Sequence, residues 1–139
     1  QANTADIDRP LKKRGYRDSA LVGDGLRKYC EDHGIREITA LVSPSNRTRI
    51  TSNAMIKQLE GITCHQVIVD GIYLATSEEL FDIIHAQDNT SDTLMLIGHN
   101  PGMHDLLQKL VPVVVERFPT CAIACRTIRG SDCPNCRLA

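Results

Sequence analysis

No stretch of this 139-residue chain is apolar for long enough to cross a bilayer, and no signal-peptide pattern opens it. A cytoplasmic protein with no membrane partner is the expectation. Neither sign of charge is in excess. Sixteen Lys and Arg stand against seventeen Asp and Glu, for a net charge of −1, so electrostatics alone offers no case for nucleic acid or an anionic membrane. Internal repeats, low-complexity tracts and interdomain linkers are also lacking. The length suits a single substantial core.

What is present is sharpest at Thr93–Gly102, TLMLIGHNPG. Leu94, Met95, Leu96 and Ile97 form an unbroken apolar run, as a strand covered on both faces requires. Gly98 lets the chain turn, Asn100 can cap the helix that follows, and Pro101 suits its first position because it has no N–H to waste there. His99 then sits at the carboxyl end of a buried strand, beside helix-terminal N–H groups. In open α/β sheets that crevice binds ligands, and helix N-termini favour phosphate. The plain alternative is a turn histidine with a solvated ring.

A second turn has the same build. Glu37–Val42 reads as a short apolar strand ending in Ser43-Pro44-Ser45-Asn46-Arg47, with a helix over Asn46–Glu60 beyond it. Arg47 falls in the first turn of that helix, where a lone cation opposes the dipole. A bound anion would reverse that conflict, since guanidinium and N–H groups would hold it together. The alternative is a solvated arginine on a helix face. Paired, Arg47 and His99 describe a phosphate pocket at the C-terminal ends of two strands.

The remaining chain alternates helix and strand. Gly15–His33 reads as a helix with Val22, Leu26, Tyr29 and Cys30 on one face, its Gly23 and Gly25 permitting close packing, and His33-Gly34 as its stop. His65–Val69 reads as a strand. Thr76-Ser-Glu-Glu79 is a capping box opening a helix that runs to about His85. Gly102–Leu110 is a helix and Thr120–Thr127 a last strand. Such βα alternation predicts a three-layer α/β/α sandwich around a mostly parallel sheet. One domain is expected over residues 1–128, with an irregular tail at 129–139.

Six cysteines are present. Cys30, Cys64, Cys121 and Cys125 fall in predicted elements, where a buried thiol acts as a small apolar group. Cys133-Pro-Asn-Cys136 has the C-x-x-C spacing of a zinc or redox turn. Cys121 and Cys125, the nearest further ligands, lie too far apart along a strand to close one site with it. No metal is expected, and a cysteine zinc or redox module remains a minor alternative. His65 and His85 sit at element ends, and His104 reads as a surface residue.

Three segments, in order, resemble the histidine phosphatase (phosphoglycerate mutase-like) superfamily, and above all its small phosphohistidine phosphatase branch, the SixA family. They are Asp8-Arg9-Pro10-Leu11 with Arg14-Gly15 soon after, Ser43-Pro44-x-x-Arg47, and Gly98-His99-Asn100-Pro101-Gly102. Pro119-Thr120-Cys121-Ala122-Ile123-Ala124 resembles the family's late Pro-Thr-rich strand. The resemblance implies phosphoryl transfer through a covalent phosphohistidine, with no cofactor. It implies phosphate binding by Arg9, Arg47 and His99, catalytic roles for Arg47 and His99, and a loosely aligned acid at Asp70. The implied substrate is a phosphorylated protein histidine or a small phosphorylated molecule.

The same resemblance marks what is missing. The family's first strand ends in Arg-His, whose histidine is the nucleophile, and no Arg-His pair occurs in this chain. The chain also has no Trp, whereas the family often ends on a strand carrying one. The expectation is a fragment lacking the first strand, with an aberrant or truncated C-terminus. The family is taken to place that first strand between the Ser-Pro and Gly-His strands, so its loss is expected to leave a slot and unpaired edges there. The activity implied is phosphohistidine hydrolysis. Small-molecule phosphomonoester hydrolysis and non-catalytic phosphate binding are the alternatives.

Overall fold

The computed structural model describes residues 6–87 and 93–111, together with the backbone of 126–129 and 135–138. Four helices and three parallel strands carry the fold: α1 (Lys13–Asp32), β1 (Glu37–Val42), α2 (Asn46–Ile56), β2 (Thr63–Ile68), α3 (Ser77–His85), β3 (Leu94–Ile97) and α4 (Gly102–Leu110). Single 3-10 turns lie at Asp6–Asp8 and Asp70–Ile72. Among the described residues no helix is long and apolar enough to cross a membrane.

β1 is central, and its side chains sort the two helical layers. Ile38, Ala40 and Val42 point to one face, where they pack with Leu26 and Cys30 of α1, Met55 of α2 and Leu59. Leu41 points to the other, toward Ile72, Ala75, Leu80 of α3 and Leu106 of α4. Alternation along a strand puts successive residues on opposite faces. EITALV is therefore apolar throughout because both faces are covered. Ile38 and Leu41 are each 1% exposed, and burying such a side chain fully stabilises by about 1.5–3 kcal/mol.

The helix ends follow local chemistry. The Thr76–Glu79 capping box forms in both directions, the Thr76 side chain accepting from the Glu79 N–H and the Glu79 side chain from the Thr76 N–H. Ser45 caps α2 by accepting the Thr48 N–H at 3.2 Å. α1 stops at Asp32, and Gly34 takes φ +67°, the left-handed conformation of a helix stop. α2 ends at Ile56, short of the predicted Glu60, because residues 57–58 and 60–61 form turns.

Two glycines set close approaches. A Cβ at Gly23 would lie 2.6 Å from the Met55 carbonyl oxygen, so α1 and α2 meet there backbone to backbone. Gly25 faces open space and packs against nothing within 4 Å, contrary to the expectation drawn from sequence. At Gly102 a Cβ would lie 2.1 Å from the Ala75 carbonyl oxygen, which fixes the start of α4 against the segment leading into α3.

The strand order is β2-β1-β3, all parallel. This corrects the expected slot. β1 and β3 pair directly, Thr39 to Leu94 through Val42 to Ile97, so no strand fits between the Ser-Pro and Gly-His turns. Their facing backbone groups are satisfied by each other. The predicted strand at Thr120–Thr127 falls largely outside the described residues. Arg126–Arg129 (β4) pairs antiparallel with Asn135–Leu138 (β5), apart from the parallel sheet.

Candidate phosphate site

Direct pairing of β1 and β3 brings both motif turns to one edge of the sheet. The Ser43 N–H donates to the Ile97 carbonyl at 3.0 Å, extending the ladder one residue beyond the strands. Ser43 Oγ and His99 Nε2 then stand 2.8 Å apart. The Ser43–Thr48 turn is held from within: Thr48 Oγ1 donates to the Ser43 carbonyl at 2.8 Å, and Ser43, Ser45 and Thr48 are all buried. Arg47 projects from this frame in the first turn of α2.

The Asp6–Asp8 turn closes over the site. Arg47 Nη2 donates to Asp6 Oδ1 at 3.3 Å, and the Tyr73 hydroxyl donates to Asp6 Oδ2 at 2.7 Å. Asn46 Nδ2 donates to the Asp8 carbonyl at 3.3 Å. The Tyr73 ring meets His99 edge-on, with centroids 5.2 Å apart. Arg9 follows the turn, exposed, its N–H bonded to the Asp6 carbonyl at 3.2 Å. Three elements far apart in sequence thus surround one carboxylate.

The electrostatics reflect this crowding. Asp6 is held below the usual carboxylate range, chiefly by the Tyr73 hydrogen bond, with Arg47, Arg9 and His99 adding and desolvation opposing. That same hydrogen bond is the main cause raising the Tyr73 phenol. Burial comes first in pushing the His99 imidazole below its ordinary value; Arg47 adds to it and Asp6 opposes. His99 is therefore a neutral ring near pH 7, with one nitrogen donating and one accepting.

The sequence-predicted residues divide. Arg9, Arg47 and His99 come together. Asp70 is exposed at the start of its 3-10 turn, and among the described residues no hydrogen bond or ion pair links its carboxylate to the other three. The carboxylate at the site is Asp6. Asp6, Ser43 and Tyr73 were not singled out as site residues from sequence: Ser43 lies in the Ser-Pro turn and Asp6 two residues before the Asp8–Leu11 segment, whereas Tyr73 lies in no motif segment. His104 is half-buried rather than fully on the surface, its N–H bonded to Asn100 Oδ1 at 3.2 Å. Asn100 Oδ1 thus accepts from a first-turn N–H of α4, but the cap position is Pro101, so Asn100 and Pro101 each stand one position further out than expected.

Beside His99 lies a cleft of about 330 Å³, lined among others by Leu74, Thr76, Glu78, Pro101 and Asp105. Leu74, at its rim, takes φ 54°, an uncommon left-handed conformation for leucine. Among the described residues no group of three His, Cys, Asp or Glu side chains is placed to hold a metal. Cys133 and the Cys136 side chain lie outside the described residues. Cys64 is a free thiol, and burial raises it above its ordinary value.

No protein-family model matches the chain. It is 28% identical over 137 residues to the uncharacterized proteins MT1313 and Rv1276c of two Mycobacterium tuberculosis strains, covering 91% of this chain and 80% of each relative. Solved structures are more telling. The protein designated phosphohistidine phosphatase SixA of Agrobacterium tumefaciens superposes with a TM-score of 0.65 at 28% identity, over 79% of this chain and 67% of that one. SixA of Nakamurella multipartitia gives 0.59 at 22% identity, over 80% and 59%. A protein histidine phosphatase SixA complexed with tungstate gives 0.74 at 18%, over 98% and 85%. The fold and the turn motifs together place this chain's likeness with the SixA phosphohistidine phosphatases of the histidine phosphatase superfamily.

Proposed function

We propose that this chain holds the phosphoryl group of a phosphorylated histidine in a histidine-phosphatase-type site. The observation that carries the reading is the convergence of Arg9, Arg47, Tyr73 and His99 around one anionic group, the Asp6 carboxylate, at the C-terminal ends of two parallel strands. A phosphoryl group offers the same donors more acceptor oxygens and more charge. Arg47 would neutralise equatorial oxygens, Arg9 would add positive charge, and His99 would donate its N–H.

Phosphohistidine is favoured over a phosphomonoester by the carboxylates. Hydrolysis of a monoester requires an acid to protonate the leaving oxygen. Asp70 is not tied to the site, and Asp6 is held ionised, which suits it poorly to donate a proton. The imidazole leaving group of a phosphoramidate takes its proton from solvent more readily. In the superfamily reaction a histidine nitrogen attacks phosphorus, the P–N bond to the substrate breaks, the departing imidazole is protonated, and water then hydrolyses the phosphoenzyme. With no Arg-His pair in these 139 residues, we assign this chain's residues to binding and charge stabilisation, and binding without turnover is the second reading.

Calorimetric titration with phosphate and tungstate tests the site. Binding is expected to weaken at least about tenfold in Arg47→Ala and in His99→Ala, the scale of hydrogen bonds to a charged group. Unchanged affinity in Arg47→Ala would refute it. Peptides carrying a non-hydrolysable phosphohistidine analogue or phosphoserine separate the substrates: tighter binding of phosphoserine would favour the monoester. The chain itself is expected to show no appreciable release of phosphate from phosphohistidine.

A further inference from the structure

Among the described residues, a buried hydroxyl in this site has one place to send its proton. Ser43 is 0% exposed, and its Oγ lies 2.8 Å from His99 Nε2, its sole hydrogen-bond partner among the described residues. The bond has two possible directions. If Nε2–H donates, the serine proton is left buried with no acceptor among the described residues, which is costly. If Ser43 Oγ–H donates, Nε2 is the acceptor and the ring's proton must sit on Nδ1.

We infer that Ser43 is a positioning residue that locks His99 in the Nδ1–H tautomer, leaving Nδ1–H as the ring's free donor for an anion. This reverses the preference of an unconstrained histidine, which in water favours Nε2–H. The lock is well supported. The Ser43 backbone is fixed by its N–H bond to Ile97 and by Thr48 Oγ1 on its carbonyl, so the hydroxyl cannot easily follow another partner. The His99 ring is braced edge-on by Tyr73. A single buried hydroxyl thus decides which nitrogen of a ring 56 residues away faces the ligand as a donor. The purpose of that N–H rests on the phosphate reading, but the tautomer itself does not.

The test is a long-range proton–nitrogen correlation spectrum of the 139-residue chain carrying ¹⁵N-labelled histidine, recorded above the ordinary imidazole value of about pH 6.5. His99 is assigned by the signal lost in His99→Gln. The wild-type spectrum is expected to show His99 protonated on Nδ1. Ser43→Ala is expected to return the ring largely to Nε2–H and to weaken phosphate binding about fivefold, the worth of one lost hydrogen bond. Ser43→Thr, which keeps the hydroxyl, is expected to retain Nδ1–H. A wild-type His99 protonated on Nε2 overturns the inference without need of any variant, as does Nδ1–H persisting in Ser43→Ala. Failure of the wild type to bind phosphate while His99 remains Nδ1–H would refute the proposed function and leave the positioning role standing.

Discussion

Arg47 and Tyr73 both donate to the Asp6 carboxylate, through Nη2 at 3.3 Å and the phenol at 2.7 Å. An incoming phosphate must share or displace that carboxylate. Replacing Asp6 by Asn removes the competing charge and frees Arg47, so phosphate affinity is expected to rise about two- to fivefold, the scale of an exposed ion pair released. Calorimetry checks it. A fall in affinity would mean that Asp6 orients Arg47 rather than competing for it. Arg47 and His99 were legible in the sequence because each sits at a fixed offset from a turn with its own local logic. Asp6 and Tyr73 were not, because their bond spans 67 residues and leaves no periodic or capping signature.

At the scale of elements, helix starts decide where the site residues stand. α4 begins with Gly102 pressed on the Ala75 carbonyl, where a Cβ would come within 2.1 Å. Neither partner is a flexible side-chain end, so one backbone must move. Gly102→Ala is expected to destabilise by roughly 1–3 kcal/mol, read from the denaturant midpoint. Gly25 is the matched contrast: it lies inside α1 with nothing within 4 Å, so Gly25→Ala is expected to stabilise by about 0.5–1 kcal/mol. Equal effects would mean that the α4 contact does not govern packing. Sequence marks neither glycine's contacts. Only the neighbouring element makes one obligatory and the other dispensable.

For the molecule as a whole, pH couples the site to stability. His99 is neutralised by burial and by Arg47, so its folded value lies below the ordinary one. Between the two values the unfolded chain binds more protons, and stability rises with pH there. The contribution is complete above about pH 6.5 and is lost as pH falls through the folded value. Asp6, also lowered, has the same sign but acts further down, below its ordinary value of about 3.9. Thermal midpoints followed against pH are expected to decline from about pH 6.5 downward, and His99→Gln is expected to flatten that first decline. An unchanged profile would exclude His99 as its source.

Sequence alone determined the βα alternation, the position of β1, the capping box at Thr76, the stop at Gly34 and the two turns that carry Arg47 and His99. Each is written within a few residues, as a repeat of apolar positions, a cap or a conformationally permissive glycine. Tertiary structure decided the strand order β2-β1-β3 and the direct pairing of β1 with β3 where sequence had suggested an intervening strand. It also decided the meeting of Asp6 with Arg47 and Tyr73 and the grip of Ser43 on His99. Those outcomes depend on which of several compatible apolar strands become neighbours, and on side chains 56 or 67 residues apart meeting across the sheet edge. Local pattern shows that a strand is buried; only packing selects the partner that buries it.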